Sequence, residues 1–404
     1  MRLTRKLLAF ALVFGFSVQP HSASAFEPAA ATSVFARLVK APDLRNPSVS
    51  LIDASSGEVI FENSAYSLRK PASVLKVLSA TATLKYLEGD QTFQTVAYLG
   101  TETSSVVIAG ALDPWIAYRY TDARKMKRTS LPRLALTTID RINRDRIIPT
   151  RNIKVYYSNL YTSDLLSLTS IFKSRGIRMV PIKILPKEGP ALSVEEIFSS
   201  SSPTVNKMLS YFLTWSDNSL ADRMAQLASQ SAGNGRNEAG VAKTFSSILR
   251  EMEIDPSKIR IKDGSGLSHD NRVTSHLVAQ LLYKIHKDPE FSAIIDGLPI
   301  SGVTGTLEKR YIESAPEAIG LVRAKTGTLN GTVSLAGYIE SEDREYIFVV
   351  IADKISRSFS ASERARTTLD KYLAKLATPL ITLPVIEPVE VTANESESST
   401  TLVD

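Results

Sequence analysis

The sequence predicts a mixed α/β protein with an antiparallel sheet flanked by helices, a central group of helices and one small inserted α/β unit. Three observations support this fold class. Residues 48–63 form two alternating apolar segments around Ser55-Ser56-Gly57, which predicts a β-hairpin. Residues 325–352 predict a three-stranded antiparallel meander whose first turn is Asn330-Gly331. Residues from about 90 to 200 alternate short strand-like and helix-like runs and so predict a separate α/β unit.

The segments between these features are predicted to be mainly helical. Residues 73–87 carry apolar side chains on nearly every face, which indicates a helix buried inside a domain, and Pro71 fits its entry. Helical spacing over 205–231 is interrupted by short polar side chains at Ser216, and an amphipathic helix over 362–377 ends the folded part. The other predicted segments are strands 106–109, 153–157 and 179–184, and helices 131–147, 163–174, one running through 249, and 274–286.

Both ends of the chain have a distinct composition. A charged head is followed by the apolar run 7–18 and by Ala23-Ser24-Ala25, which predicts a signal peptide cleaved after Ala25 and leaves 379 of the 404 residues. An uncleaved N-terminal anchor is the less favoured alternative. Either way the chain is expected to be exported, and cleavage predicts a periplasmic protein. The tail 379–404 is rich in Pro, Ser, Thr and Glu and is predicted to be disordered and acidic.

Composition excludes several classes of protein. With 43% hydrophobic and 22% charged residues, the chain is neither wholly disordered, nor collagenous, nor a multi-span membrane protein. It has no cysteine, which excludes a disulfide framework, a thiol nucleophile and a lipoprotein attachment site. The net charge is +6 overall and about +8 over residues 26–378. This basic charge suits an anionic envelope polymer, but the Lys and Arg residues are too scattered for a nucleic-acid surface.

Histidine chemistry is poorly supported. The four histidines are His21, His269, His276 and His286, and no His-Glu-x-x-His spacing is present, so neither a zinc site nor another metal or cofactor site is predicted. No Gly-x-Ser-x-Gly elbow surrounds any serine, which argues against a serine–histidine triad. A base in this protein is therefore expected to be a lysine.

Three Ser-x-x-Lys pairs compete for that role, namely Ser67/Lys70, Ser73/Lys76 and Ser170/Lys173. Pro71 keeps the first pair from sharing a regular helix, and the third lies near a helix end, where a solvated lysine is the default. Only Ser73 and Lys76 lie on a helix that is apolar all round, with a spacing that brings hydroxyl and amine within reach. Burial disfavours the charged form of a lysine and makes it a plausible base for a serine. The alternative is a lysine that extends past a core helix to solvent.

Two later motifs support the catalytic interpretation. Ser216-Asp217-Asn218 interrupts a helical region, and Lys325-Thr326-Gly327-Thr328 lies on a predicted strand. Alone, the first is most often a helix cap and the second an edge-strand lysine. In the order Ser-x-x-Lys, Ser-x-Asn, Lys-Thr-Gly they form the signature of penicillin-recognising serine acyl transferases.

Four segments narrow this resemblance, namely KPASVLKVLSATATL (70–84), DGSGLSHDNRVT (263–274), SGVTGTLEKR (301–310) and AKTGTLNGTVSLAGYI (324–339). They resemble the D-alanyl-D-alanine carboxypeptidase/endopeptidase family, the class C low-molecular-mass penicillin-binding proteins of peptidase family S13. The resemblance implies a β-lactamase/DD-peptidase-like transpeptidase fold. It implies a catalytic domain from residues 26–90 and 200–378, and an accessory domain at 91–199. Residues 263–267 are interpreted as a Gly-rich turn that marks the family.

The resemblance also implies roles for individual residues. Ser73 would attack the carbonyl of a D-alanyl-D-alanine bond while Lys76 takes its proton, and Ser216 and Lys325 would relay a proton to the leaving amine, with Lys325 keeping the site positive. The substrate-binding residues would be Asn218, Thr326, Gly327 and Thr328. The oxyanion hole would be the backbone N–H groups of Ser73 and Thr328. The expected substrates are peptidoglycan stem peptides, with β-lactams as covalent inhibitors and neither a nucleic-acid partner nor a stable membrane anchor; carboxypeptidase and endopeptidase activity both remain open.

Two departures from the family and two rival functions are relevant. The inserted segment is shorter than is typical of the family, which leaves room for about one accessory domain. Tyr157 stands where family members have an aspartate that contacts the stem peptide. A class A β-lactamase would need a Glu-x-x-Leu-Asn stretch after Ser-x-Asn, and none lies between Asn218 and Lys325. A non-catalytic envelope-binding protein is the second rival.

Overall fold

The computed structural model describes residues 28–144, 150–342 and 344–377. The predicted signal peptide and acidic tail lie outside these residues. None of the described helices is long and apolar enough to cross a membrane.

The described helices are numbered in chain order. They are α1 (Pro28–Leu38), α2 (Lys76–Tyr86), α3 (Tyr120–Met126), α4 (Leu131–Asn143), α5 (Thr162–Ser174), α6 (Gly189–Leu192), α7 (Val205–Thr214), α8 (Asn218–Ser231), α9 (Glu238–Glu251), α10 (Ser275–Lys287), α11 (Ser292–Gly297) and α12 (Phe359–Ala374). The strands are β1 (Ser48–Asp53), β2 (Val59–Asn63), β3 (Gln94–Gly100), β4 (Ser105–Gly110), β5 (Asn152–Ser158), β6 (Arg178–Lys183), β7 (Ser193–Ser201), β8 (Val322–Leu329), β9 (Thr332–Ser341) and β10 (Arg344–Ala352).

Sheet one is antiparallel throughout, in the order β2-β1-β10-β9-β8. It confirms the predicted hairpin and the predicted meander. Side chains of β10 alternate between two cores, because successive residues of a strand face opposite sides. Ile347, Val349 and Ile351 pack with helices that include α2, α7, α8 and α10, whereas Phe348 and Val350 pack with α1 and α12. Burial on both faces explains the unbroken apolar run of this strand.

Sheet two has the order β6-β5-β4-β3-β7 and is mixed, since β4, β5 and β6 are parallel while β3 is antiparallel to both of its neighbours. Its core contains α4 and α5. The predicted strands and helices between 106 and 184 are confirmed, although α4 ends at Asn143 and the end of its predicted range is not described. Strands β3 and β7 and helices α1, α3, α6 and α11 were not predicted. The domain boundaries at 90/91 and 199/200 stay a prediction.

The two helices that carry the predicted motifs differ from regular helices at the motif. The predicted helix over 73–87 begins as a 3₁₀ turn, Ala72–Leu75, before α2 starts at Lys76. The chain between α7 and α8 breaks at Trp215–Asp217, as the polar interruption predicted. The closing helix α12 lies three residues earlier than its predicted range.

Candidate active site

The 3₁₀ turn at Ala72–Leu75 holds Ser73 in a tightly packed position. Ala72 has a φ of +49°, in the left-handed region. A Cβ at Gly266 would lie 1.9 Å from the Ala72 carbonyl oxygen, and one at Gly327 would lie 2.9 Å from the Pro71 carbonyl oxygen. Only glycine permits these approaches. The hydroxyl of Ser334 on β9 also donates to the Pro71 carbonyl at 2.7 Å, so a strand and a loop fix the turn from two sides.

Lys76 lies beneath Ser73 and is fully buried. Its Nζ lies 2.8 Å from Ser73 Oγ, 2.6 Å from Asn218 Oδ1 and 2.7 Å from the Ser265 carbonyl oxygen. The last two groups only accept hydrogen bonds. A neutral amine has two N–H groups, and both must donate here, one to Asn218 Oδ1 and one to the Ser265 carbonyl. The lone pair of the amine then faces Ser73 Oγ. The geometry directs the basic form of Lys76 at the serine proton.

The surroundings of Lys76 bring its pKa closer to neutral pH. Burial lowers the pKa of Lys76 to about 8, against the charges of Asp263, Asp217 and Asp222, which raise it. None of these carboxylates forms an ion pair with Lys76 within the described part of the chain. The lysine can consequently lose its proton near neutral pH.

The loop after residue 262 supplies one of the acceptors for Lys76. The Asp263 carboxylate accepts from the backbone N–H groups of Ser265 (2.7 Å), Gly266 (2.6 Å) and Ser268 (2.7 Å). Burial alone would raise the pKa of Asp263. The hydrogen bonds outweigh burial, so the pKa of this carboxyl lies below its ordinary value. The ionised carboxylate thus folds the loop so that the Ser265 carbonyl points at Lys76. The sequence predicted only a Gly-rich turn here and no contact with Lys76. An Asp followed by Gly-Ser-Gly is typical of such a turn.

The Ser-x-Asn motif brings one of its two polar residues directly to Lys76. Asp217 caps α8 by accepting from the Leu220 N–H at 2.8 Å, which places Asn218 at the first position of the helix. Ser216 is half-buried and has a φ of +60°. Among the described residues it has no hydrogen-bond partner. The structure therefore joins Ser73, Lys76 and Asn218 directly, and it gives Ser216 no hydrogen bond with them.

Lys325 of β8 is also fully buried. Its Nζ donates to the Thr326 carbonyl at 3.1 Å. Burial, and then the charge of Lys76, hold the pKa of Lys325 well below its ordinary value. The charged form of Lys325 is therefore disfavoured, which does not fit the expectation that this lysine keeps the site positive.

The threonines of β8 are positioned by side chains that were not predicted to belong to the site. The Thr326 and Thr306 hydroxyls are 2.7 Å apart, and Arg366 Nη2 on α12 donates to Thr328 Oγ1 at 3.0 Å. Arg366 also pairs with Glu363. No local signal identifies Arg366, because its contact with β8 depends on the packing of α12.

The outer edge of β8 carries unused backbone donors. The Ala324 N–H bonds the Pro299 carbonyl at 2.9 Å, on the side of β8 away from β9. Backbone N–H directions alternate along a strand, so the N–H groups of Thr326 and Thr328 face the same edge. The Thr328 N–H, the expected oxyanion donor, thus points away from the sheet at the edge that lies next to the Ser73 turn. Tyr157, in contrast, lies on β5 and packs half-buried against the core of sheet two.

A cleft of about 390 Å³ opens beside this group, lined by residues that include Asn218, Asp222, Asp263, Ser265 and Leu267. Residues 150–376 match the model of the D-Ala-D-Ala carboxypeptidase 3 (S13) family. The chain belongs to this family. It is a serine-type D-Ala-D-Ala peptidase of the class C penicillin-binding group, as the motif order indicated. The family acts on the cell wall, which makes the chain an enzyme of the periplasm or the cell exterior.

Relatives of known sequence agree with this assignment. The chain is 26% identical over 384 residues to carboxypeptidase DacB of Mycolicibacterium smegmatis, which covers 82% of each protein. It is 31% identical over 163 residues to the D-alanyl-D-alanine carboxypeptidase of an Actinomadura species, covering 39% of this chain and 30% of that one.

Solved structures show the same fold. Penicillin-binding protein 4 of Haemophilus influenzae superposes with a TM-score of 0.66 at 16% identity, over 84% of this chain and 98% of that one. A penicillin G acylated predatory endopeptidase of Bdellovibrio bacteriovorus superposes with a TM-score of 0.56 at 17% identity, over 82% and 93%. The predicted fold class is thereby confirmed.

Proposed function

We propose that Ser73 is the nucleophile of this peptidase and that Lys76 is its general base. The observation that carries the proposal is the 2.8 Å approach of Lys76 Nζ to Ser73 Oγ, with two pure acceptors occupying the other sites on the amine. Neutral Lys76 takes the hydroxyl proton while Ser73 Oγ attacks the carbonyl carbon of the penultimate D-alanine. The peptide C–N bond then breaks and an ester to Ser73 remains.

Electrostatic stabilisation of the tetrahedral intermediate would come from backbone donors. The N–H of Thr328 faces the open edge of β8, and the N–H of Ser73 begins the turn that this edge approaches. Two N–H groups aimed at one oxygen stabilise developing negative charge. Gly327 lets β8 lie this close, since a side chain there would meet Ser334 and the Pro71 carbonyl.

The leaving amine needs the proton that Lys76 took. Lys325 is close enough to Lys76 for their charges to interact, and Ser216 with Lys325 would pass this proton to the amine. Water would then attack the ester by the reverse sequence. A substrate carboxylate near Lys325 would raise the pKa of that buried amine and restore its charge. We assign Ser216 a relay role and Asn218 a role in holding both Lys76 and the acyl amide.

The terminal carboxylate of the substrate would bind at Thr326, Thr328 and Arg366. Because Arg366 donates to Thr328 Oγ1, the Thr328 hydroxyl is free to donate its own proton outward. The guanidinium of Arg366 offers charged N–H donors to a carboxylate, whereas burial holds the pKa of Lys325 well below its ordinary value. Carboxypeptidase and endopeptidase reactions share this geometry and differ only in the amine that leaves.

Deacylation of a bound penicillin is expected to be slow. The carboxylates of Asp217, Asp222 and Asp263 each accept a backbone N–H, at 2.8, 2.7 and 2.6 Å. These hydrogen bonds hold each carboxylate in place, and those to Asp263 keep its pKa below the ordinary value, which makes Asp263 a poor base for activating water. This favours a penicillin-sensitive peptidase over a class A β-lactamase.

The proposal also covers the domain boundaries and the two ends of the chain. Residues 26–90 and 200–378 would form the catalytic domain and 91–199 the accessory domain. Removal of residues 1–25 would release a periplasmic protein without a membrane anchor, with residues 379–404 as an acidic tail.

Turnover of a stem-peptide mimic ending in D-Ala-D-Ala, measured beside a cross-linked stem dimer, tests the proposal. Wild type is expected to release D-alanine or to cleave the dimer, and Ser73→Ala to do neither. Ser170→Ala, which changes the serine of another Ser-x-x-Lys pair, should retain full activity. Residual turnover by Ser73→Ala close to wild type would overturn the assignment, and inactivity of wild type on both substrates would favour the binding-protein rival.

A further inference from the structure

The positive charge of the protein is concentrated on one unit. Residues 91–199, which contain sheet two, carry 16 Lys and Arg against nine Asp and Glu. The remainder of residues 26–378 carries 29 against 28 and is almost neutral. A local charge excess of this size attracts anions to one part of the surface.

Part of this charge surrounds a single cavity. The cavity has a volume of about 290 Å³ and lies between α3, the start of α4 and β7. Its lining includes Arg124, Lys127, Arg128, Arg133, Ser130 and Ser199. No aspartate or glutamate lines it.

Three cations of the cavity have no carboxylate partner among the described residues. Ion pairs elsewhere in this unit join Arg141 to Glu195 and Lys154 to Glu102. Within the described ranges, Arg124, Lys127 and Arg133 form neither an ion pair nor a side-chain hydrogen bond. Like charges held close together repel one another, and an anion bound among them would relieve this repulsion.

Arg128 forms a rigid wall of the cavity. Its Nε donates to the Trp115 carbonyl at 2.6 Å and its Nη2 to the Ile116 carbonyl at 3.1 Å, and its guanidinium lies 4.4 Å from the Trp115 ring centroid. Asp113 and Asp217 act on its charge from beyond ion-pair distance. The Trp115 ring in turn lies 4.3 Å from the ring of Tyr211 on α7, the helix that ends just before Ser216. The cavity is therefore linked by direct contacts to the helix beside the catalytic cleft.

We propose that this cavity binds a phosphate group carried by an anionic cell-wall polymer. A phosphodiester carries one charge and two non-bridging acceptor oxygens, and the next phosphodiester along a polymer supplies a second charge, which suits three unpaired cations better than a single carboxylate does. Guanidinium groups bind phosphate through paired N–H donors, and the Ser130 and Ser199 hydroxyls add neutral donors. Binding here does not require Ser73, so the site would hold the enzyme on its polymer while the cleft acts on stem peptides.

Two variants that each remove three positive charges distinguish an effect of the cavity from an effect of net charge. The first is Arg124→Gln/Lys127→Gln/Arg133→Gln, and the control is Lys173→Gln/Arg175→Gln/Lys187→Gln, whose residues are exposed on the same unit and outside the cavity. Inorganic phosphate is titrated into each protein by calorimetry at fixed ionic strength, with acetate as a second titrant. The first variant should bind phosphate at least about tenfold more weakly than wild type, while the control matches wild type. Acetate should bind all three proteins more weakly than phosphate binds wild type.

A polymer experiment identifies the source of the phosphate. Peptidoglycan sacculi, either retaining their phosphodiester polymers or stripped of them with hydrofluoric acid, are pelleted with each protein. We expect the first variant to lose affinity only for the unstripped sacculi. The proposal is overturned if wild type binds no phosphate, if acetate binds equally well, if both variants weaken equally, or if stripping makes no difference. Both variants should hydrolyse a small D-Ala-D-Ala peptide at the wild-type rate, which keeps this result separate from the proposed catalytic role.

Discussion

Two Ser-x-x-Lys pairs lie on helices in different parts of the molecule and have opposite surroundings. Ser170 and Lys173 are exposed on α5 beside sheet two. Ser73 and Lys76 lie against sheet one, where Lys76 is fully buried and its amine contacts three polar groups. The spacing is identical, so the chemistry cannot come from the spacing. Burial lowers the pKa of Lys76 to about 8, and the two acceptors orient its lone pair.

The same contrast holds for the cations of the two regions. Burial lowers the pKa of both Lys76 and Lys325 and so disfavours their charged forms. Arg124, Lys127 and Arg133 line an open cavity whose lining contains no carboxylate. The first arrangement suits proton transfer and the second suits binding of an anion, so one chain can separate catalysis from attachment.

The largest effect is expected from removing the buried amine. Lys76→Met should reduce acylation by at least about 10³-fold, because Ser73 then loses its base. Lys173→Met, the matched change in the exposed pair, should leave the rate unchanged. Stopped-flow acylation by a chromogenic β-lactam measures both, and equal losses in the two variants would remove the distinction between the pairs.

A smaller loss is expected when the loop beneath Lys76 is loosened. Asp263→Asn keeps the size of the side chain but removes the charge that three backbone N–H groups bind. We expect the free energy of unfolding to fall by about 1–3 kcal/mol and acylation to fall by roughly 10- to 100-fold. Asp255→Asn, which changes an exposed carboxylate in a similar turn, is the control. An unchanged rate in Asp263→Asn would show that the Ser265 carbonyl is not needed to orient the amine.

The pH dependence follows from the lowered pKa of Lys76. The base is active when it is neutral, so acylation should rise with pH through a midpoint of about 8. The neutral fraction of such an amine rises from roughly 0.1 at pH 7 to about 0.9 at pH 9, which predicts about a ninefold increase. A profile of acylation rate between pH 6 and pH 10 checks this. A flat profile, or one that falls over this range, would contradict the assignment of Lys76 as the base.

Among the substitutions, the smallest effect is expected at the carboxylate end of the cleft. Arg366→Gln should lower the preference for a peptide ending in a free D-Ala carboxylate over its C-terminal amide by about tenfold, because a charge-assisted contact is lost. The rate on the amide itself should stay the same. Arg364→Gln, on the same helix and paired with Asp43 instead, is the matched control. If both substrates slow equally in Arg366→Gln, Arg366 acts on the fold of α12 rather than on the carboxylate.

The sequence predicted those features whose signals are local. Alternation in the meander, the apolar surroundings of Lys76 and the polar break at Ser216 are visible along the chain, and the structure contains each of them. Strand β7 was missed because it is a polar edge strand that pairs with only one neighbour. Arg366 and the Ser265 carbonyl were missed because they meet the site only through tertiary packing, across 38 and 189 residues of sequence from Thr328 and Lys76.

Intact mass spectrometry after incubation with benzylpenicillin tests the central claim most directly. We compare wild type, Ser73→Ala and Ser170→Ala, and follow the adduct through time. Wild type and Ser170→Ala should gain one penicilloyl group that persists, and Ser73→Ala should gain none. A penicilloyl adduct on Ser73→Ala would contradict the assignment of Ser73 as the nucleophile.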